Sequence, residues 1–504
     1  MTLDDYRNER LKKLEKLREL GINPYPAKSF RDRKIGEILE NFADFNGKEV
    51  TVAGRITAIR SFGKLAFVRL RDASGEIQIL LNQNVEEPGK LGLKTLKLLD
   101  SGDFVEATGT VGESSTGERS VFSNTLRLLT KTLRPLPGRD GLKNKEERYR
   151  RRYVDMNVNP EVRDRLVRRA KFWTATRDFM NQHGFVEVNT PVLEKTTGGA
   201  DATPFTTHMD ALDEDFYLRI SQELPLKRLL GGGFERVYDI GPRFRNEGID
   251  DEHLPEHIAF ESYAAFEDYE SGMTFYEEMI KYVAEKTWGT LKFTLEGFGE
   301  IDLGNGGKPW PRKKYADLLK TEYNVDVFHP DRKQLEAILR TDLEESLKKN
   351  HAENDLAARK SLEKTLKTAS TERLIDHVWK LIRKTSAGPF WLIEEPLALS
   401  PLAKVSEKNP LVTERFHPII AGTEMGNGYS ELNDPLDQLA RFQEQQALRD
   451  AGDAEAQMLD QDFVEMLEYG MPPACGWGNS ERNFWLLEGV SGREAVPFPI
   501  TKTR

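Results

Sequence analysis

The chain has a single cysteine, Cys475, among 504 residues. That excludes an intramolecular disulfide and any cysteine-rich metal site. No apolar run approaches the roughly 20 residues that cross a bilayer, and the first residues, MTLDDYRNER, have no apolar signal-peptide core. No membrane partner is expected, and the expected compartment is the reducing cytoplasm. Three signatures are also missing: the G-x-x-x-x-G-K-[ST] phosphate loop, the dinucleotide glycine fingerprint and the G-x-S-x-G elbow. A nucleotide would have to be held in another way, and Cys475 has no context for a nucleophile. An excess of basic residues is missing too. The net charge of −10 speaks against DNA as a partner of the whole surface, while leaving room for local basic patches on another nucleic acid.

What is present is 38% hydrophobic and 31% charged residues, the balance of a globular protein with a highly charged surface. The length predicts roughly two to four domains. Residues 3–20 predict a helix, with Leu11, Leu14, Leu17 and Leu20 near helical spacing and Gly21 and Pro24 ending it. Residues 1–45 are read as an N-terminal helical extension, either solvated or lying against RNA phosphates. Residues 46–137 alternate apolar and polar side chains, as in EVTVAGRITAIRSFGKLAFVRLRDASGEIQILLN. Five short strands in a Greek-key barrel of OB type are predicted. Such barrels take single-stranded nucleic acid with stacking aromatics and polar groups that read base edges. Phe67 and Gln78 fit those tasks, and Phe67 fits ordinary core equally well. Residues 138–159 form a charged linker, and 160–504 mix helices with strands. Strands are expected in GFVEVNTPVL, FYLRI and RVYDIG and at 389–395 and 416–432, and helices at 163–183 and in ELPLKRLL. The charge-rich stretch at about 331–386 reads as an inserted helical subdomain.

The stretch FRNEGIDDEHLPEH, residues 244–257, ends in H-x-x-E-H, a zinc-peptidase spacing. That chemistry needs His253 and His257 on one helical face. Pro255 between them and the acidic residues before them favour a turn. The other end, FRNEG, points to ATP.

Three segments in order give FRNEG a context: GFVEVNTPVL (184–193), FRNEG (244–248) after RVYDIGPR, and GWGNSER (476–482). Together they resemble motifs 1, 2 and 3 of class II aminoacyl-tRNA synthetases. AFVRLRD, EIQIL, LLTKTLRPLP, RYRRRYVD, ELPLKRLLGGGFERVYDIGPRFRNEGID, SPLAK and MGNGYSELNDP make lysyl-tRNA synthetases the closer resemblance, over nearly the whole chain. The resemblance implies an α+β architecture: an OB-type anticodon domain, then a class II catalytic domain with an antiparallel sheet flanked by helices. It implies a homodimer formed mainly through 163–193, and ATP, Mg2+, L-lysine and a lysine tRNA as ligands. Aminoacylation needs in-line alignment and neutralisation of charge on phosphorus more than covalent catalysis.

By similarity, Arg245 holds the α-phosphate and the substrate carboxylate, its planar fork being suited to both. Arg482 takes the far phosphates, Glu247 the adenine amino group, and His253 stands in the motif 2 loop beside ATP. Glu223 and Glu261 match positions facing the lysine ammonium. Asn427 and Glu431 match substrate contacts, and Gly199, Tyr263 and Tyr429 match pocket walls. A buried carboxylate without a partner is costly, so several converging suggest a cationic ligand. The rival reading pairs Glu223 and Glu431 with internal Lys or Arg. In the barrel, Arg55, Phe67 and Gln78 match anticodon readers.

The chain also departs from that pattern. Glu424 matches a carboxylate on magnesium and ATP, but its usual partner is here His417, and imidazole is a poor magnesium ligand. His257 stands where a phenylalanine stacks on adenine, Glu252 where an arginine is common, and Thr125 where a glutamate is common near the anticodon. Motif 3 reads CGWGNSER rather than alternating glycines ending in G-x-D-R. A ligase for aspartate or asparagine, and a synthetase-like RNA-binding protein without aminoacylation, are the alternatives.

Overall fold

The computed structural model describes residues 2–82, 87–138, 142–200, 202–248, 250, 253–352, 355–450 and 456–502. The chain divides into two compact units that meet at Pro160 and Glu161. The first opens with α1 (Leu3–Glu19), whose N-terminus is closed by reciprocal hydrogen bonds between Thr2 and Asp5. Leu14 and Leu17 are buried on one stripe, whereas Leu20, expected on the same stripe, is 47% exposed past the last turn. Five strands close a barrel: β1 (Glu49–Phe62), β2 (Leu65–Arg71), β3 (Glu76–Leu81), β4 (Phe104–Glu113) and β5 (Arg119–Ser123). They pair in the ring β1-β2-β3-β5-β4-β1, and β6 (Arg127–Thr130) hangs on β4. The period-2 pattern does this: Ala66, Val68 and Leu70 of β2 fill the core with Ile77, Ile79 and Leu81 of β3, while Phe67, Arg69 and Arg71 stay half-buried outside.

A buried ion cluster ties α1 to the barrel. Lys131, fully buried, sits 2.8 Å from Asp103 and 2.5 Å from Asp100. Lys13 of α1 reaches Asp100 at 2.6 Å, and Arg10 donates to the Thr132 hydroxyl at 2.6 Å. The charged segment after the barrel is not an extended linker. It folds into α2 (Lys145–Arg150) and α3 (Arg152–Val158), because Asp155 is buried between Arg148 at 2.9 Å and Arg152 at 3.0 Å.

The second unit is built on a mixed sheet of nine strands among the described residues. In chain order they are β7 (Val186–Glu187), β8 (Arg236–Phe244), β9 (Glu256–Ala265), β10 (Arg312–Lys314), β11 (Phe390–Ile393), β12 (Arg415–Ile420), β13 (Thr423–Glu424), β14 (Asn427–Ser430) and β15 (Ala474–Ser480). The spatial order is β10-β11-β12-β14-β15-β9-β8-β7, with β13 on β12. The central pairings are antiparallel; the two outermost, β10–β11 and β7–β8, are parallel. The strand expected over GFVEVNTPVL is shorter than its sequence pattern: β7 covers two residues, and Leu193–Glu194 pairs elsewhere.

One sheet face is aromatic core. Phe260, Phe416 and Trp477 pack against Phe172 of α4 (Pro160–Gln182) and Tyr276 of α6 (Tyr269–Trp288). The other face carries α5 (Glu223–Gly231), whose Leu224, Leu226 and Leu230 pack with Val237, Tyr263 and Tyr429. The charge-rich insertion holds α7 (Arg332–Lys349), α8 (Leu356–Thr368) and α9 (Thr371–Thr385). Their apolar stripes close over Phe390, Leu392 and Ile419 of the sheet.

All seven tryptophans lie at residue 173 or beyond, so tryptophan fluorescence reports only the second unit. Asp103→Ala removes the fully buried partner of Lys131, leaving it Asp100 alone, and is expected to cost the barrel about 1–3 kcal/mol. Urea unfolding followed by circular dichroism should gain an early transition while the tryptophan transition stays in place; a shift of both together would contradict the assignment.

Candidate active site

The site follows from strand register. Glu261 of β9 lies beside Gly478 of β15, and Gly478 beside Asn427 of β14. One step along, Tyr263, Gly476 and Tyr429 form a second row, with Arg415 of β12 next to Tyr429. Side chains alternate between faces, so these rows face away from the aromatic core. The motif 3 glycines clear the floor. A Cβ on Gly476 would come within 2.3 Å of both a Glu431 oxygen and the Tyr263 ring, and one on Gly478 within 2.9 Å of Glu261. Above them opens a cavity of about 440 Å³ lined by Gly199, Glu223, Arg243, Arg245, Glu261, Tyr263, Asn427 and Tyr429.

The carboxylates here do not stand alone, and the rival reading of internal pairing is what the structure contains. The ammonium of Lys227, one helical turn after Glu223, is fully buried 2.6 Å from the Glu223 carboxylate and also contacts Glu431. It lies 5.3 Å from the Tyr429 ring centroid and 5.9 Å from that of Tyr263, within range of a cation–π attraction. Tyr429 donates its hydroxyl hydrogen bond to Glu223. Glu261 pairs with Arg243 and accepts from the Ser221 hydroxyl and the Gln222 amide, each at 2.9 Å. Three buried carboxylates (Glu223, Glu261, Glu431) therefore converge with the cations Lys227 and Arg243, and Arg245 lines the same cavity. The electrostatics follow. Burial opposes the Lys227 ammonium, but Glu223 and Glu431 outweigh it and raise its pKa. Burial raises Glu431 to about 8 against the pull of Lys227, and among the described residues neither Glu431 oxygen has a hydrogen bond beyond that ion contact.

A second cavity of about 500 Å³ shares Arg243, Arg245, Glu424, Asn427 and Gly478 with the first and adds Glu247, His253, His257, His417 and Arg482. Arg245 stands where the two meet. Burial first, then Arg243, lower its pKa to about 10, and its enclosed Nε has no hydrogen-bond partner among the described residues. Such a guanidinium is poised for an anion. Burial and the neighbouring Arg245 and Arg243 hold His257 neutral, with a pKa of about 3, which fits a flat stacking ring. His257 belongs to strand β9, not to a helix, so the H-x-x-E-H spacing builds no zinc site. His253 is exposed and pairs with Asp250 at 2.8 Å. Glu247 is exposed at the cavity mouth. Glu252 lies outside the described residues.

Glu424 and His417 are each engaged with other side chains. Glu424 accepts from the Trp379 indole at 3.0 Å and lies 3.5 Å from Arg383. His417 places one nitrogen 4.0 Å from Glu424 and the other 3.5 Å from Glu395. Burial works against the Glu395 carboxylate, yet Arg415 and His417 bring its pKa down to about 2. Glu424 is likewise lowered, by His417 and Arg383 against burial. No cluster of three metal-ligating side chains occurs among the described residues. Two ionised carboxylates are still hard oxygen donors, the type magnesium takes alongside water and phosphate oxygens.

In the first unit, β2 and β3 bring Phe67 and Gln78 to the outer barrel face. Phe67 meets the exposed Phe62 edge-on at 6.2 Å, so it is not core. Gln78 is buried and donates to the Ser120 hydroxyl at 2.9 Å. Arg55 already donates to the Gly102 carbonyl at 3.0 Å and lies over the Phe104 ring. Thr125 is buried, its hydroxyl 3.3 Å from Glu87.

Sequence reasoning passed over Lys227, Arg243, Glu395, Arg415 and Lys380, all of which line or brace the cavities. Lys227 alone had a local signal, its i,i+4 spacing from Glu223. The others come from separate elements.

Comparison with known proteins agrees with this geometry. The family of tRNA synthetases class II (D, K and N) matches residues 144–502, and the OB-fold nucleic acid binding domain matches residues 50–129. The chain is 42% identical to a lysine–tRNA ligase of Fervidobacterium nodosum, covering 99% of this chain and 94% of that protein. It is 40% identical to that of Thermotoga maritima, over 100% and 97%, and 41% identical to that of a Roseiflexus species, over 100% of both. With both matched regions in order and these relatives aligned end to end, the chain belongs to the class II tRNA synthetases and, within them, to the lysine–tRNA ligase family.

Proposed function

We propose that this protein ligates L-lysine to its cognate tRNA, using ATP, through a lysyl-adenylate and with release of AMP and pyrophosphate. The observation that carries this is the convergence of three buried carboxylates, Glu223, Glu261 and Glu431, at an aromatic-walled cavity. A substrate ammonium is the ligand that such a carboxylate cluster suits. An aspartate or asparagine pocket would offer cations or amides instead.

In this reading Arg245 holds the lysine carboxylate and the α-phosphate together at the junction of the cavities, so that attack on phosphorus is in line. Arg482 binds the distal phosphates, His257 stacks on adenine, and Glu247 and His253 border the nucleotide. Glu223, Glu261 and Glu431 receive the lysine ammonium groups between Tyr263 and Tyr429, with Asn427 and Gly199 completing the wall. Glu424, with Glu395 behind it, would hold Mg2+, which when bound offsets phosphate charge. Phe67 stacks on an anticodon base and Gln78 turns from Ser120 to read a base edge, with Arg55 bracing the face. Exposed Val167, Val186 and Leu193 support a homodimer through 163–193. No helix among the described residues is long and apolar enough to cross a membrane, and the cytoplasm is the proposed site of action.

The reading is tested by ATP–pyrophosphate exchange with magnesium across all twenty amino acids. Exchange with lysine alone is expected. Exchange with aspartate or asparagine would overturn the specificity, and no exchange from folded protein would favour an RNA-binding protein in which His417 and motif 3 mark a lost activity. Gly476→Ala should raise the KM for lysine by more than about tenfold, since its Cβ displaces Glu431 or Tyr263; an unchanged KM would place lysine elsewhere.

A pH dependence follows from Glu431. Its pKa of about 8 in the free protein should fall when an ammonium arrives, so binding favours the deprotonated form and releases a proton below that pH. Lysine affinity should rise from pH 6.5 to 8 and then level off. Titration calorimetry in two buffers of different ionisation enthalpy checks it, and a pH-independent affinity without proton release would refute it.

A further inference from the structure

Helix α9 of the insertion does more than cover the sheet edge. Leu374, Ile375, Val378, Trp379 and Ile382 form its buried stripe. Asp376, Lys380 and Arg383, at helical spacing, form a different stripe. That second stripe reaches the site. Arg383 lies 3.5 Å from Glu424, and the indole of Trp379 donates to the same carboxylate at 3.0 Å. Lys380 lines both cavities, the one holding Glu223 and Glu261 and the one holding His257 and Arg482.

The cations on this wall differ in how firmly they are held. Arg415 is bound to Glu395 at 2.7 Å and to the Ser400 hydroxyl at 2.9 Å. Arg243 is paired with buried Glu261. Lys380 is held by an i,i+4 pair with Asp376 at 2.7 Å, with 44% and 38% of the two side chains exposed. Such half-exposed pairs are weak, so Lys380 can turn to a stronger anion. Opposite it, His417 stands beside Glu424, and no three-ligand metal cluster occurs among the described residues. The wall therefore carries protein cations where additional divalent ions would need carboxylates.

We infer that Lys380, supplied by the inserted helices, binds the triphosphate of ATP and lets the nucleotide bind without a divalent ion. This rests on reading the second cavity as the ATP site. On nucleotide entry the ammonium leaves Asp376 and adds a charge-assisted hydrogen bond to a phosphate oxygen. A lysine acts there as a mobile point charge.

Titration calorimetry of ATP into the full-length protein, in EDTA and in magnesium, tests this without turnover. Wild type is expected to bind ATP in EDTA. Lys380→Gln should bind about tenfold more weakly in EDTA, with a smaller loss in magnesium. Asp376→Asn, which frees the ammonium, should bind in EDTA at least as tightly as wild type. Wild type that binds ATP only with magnesium would overturn the inference, as would Lys380→Gln binding like wild type in EDTA. No ATP binding in either condition would overturn the ATP-site reading as well, which separates the two failures.

Discussion

The antiparallel register of β14, β15 and β9 is the constraint on which the site depends. It aligns Asn427, Gly478 and Glu261 in one row and Tyr429, Gly476 and Tyr263 in the next. A slip of one residue would turn both rows into the aromatic core and bring Trp477 and Phe260 into the cavity. The core on the far face holds the register, because Trp477, Phe260 and Phe416 pack there only in this alignment. Core packing and site geometry are thus two faces of the same strands.

The site gathers buried carboxylates in one half. Lys227 lets Glu223 and Glu431 share a buried pocket, which two bare carboxylates could not do. Burial still raises the pKa of Glu431 against the pull of Lys227. A specific cation relieves that strain, so recognition and electrostatics become one quantity. On the neighbouring wall Arg245, whose Nε has no hydrogen-bond partner among the described residues, gathers positive charge around the second cavity together with Arg482 and Lys380. The junction at Arg245 joins a cation-seeking half to an anion-seeking half, the arrangement needed to bring an amino acid to a triphosphate.

The inserted helices belong to this arrangement through Glu424. Their apolar stripes bind them to the sheet edge, and the Trp379 and Arg383 contacts dock α9 on the same carboxylate that the resemblance assigned to the metal. The barrel unit shows a simpler economy. Its alternating strands leave Phe62 and Phe67 as an aromatic pair outside while a buried Lys131–Asp103 pair secures α1.

The sequence by itself determined the strands and their faces in the barrel, the helix over ELPLKRLL, the helical insertion and the family, because those depend on local periodicity and on motifs within a few residues. It brought Arg245, Glu261, Tyr263, Asn427, Tyr429 and Glu431 to one site through resemblance. It overran the strand of motif 1, because β pairing needs a partner and β8 meets β7 over two residues alone. It read 138–159 as a charged linker and left its helices unseen, because the burial of Asp155 between two arginines is invisible to composition. Only the tertiary structure decided that Lys227 already occupies the carboxylates, that His417 stands between Glu395 and Glu424, and that Lys380 reaches both cavities. Those facts depend on side chains far apart in the chain sharing a low-dielectric space, where each ion's cost is set by which others stand within a few ångströms.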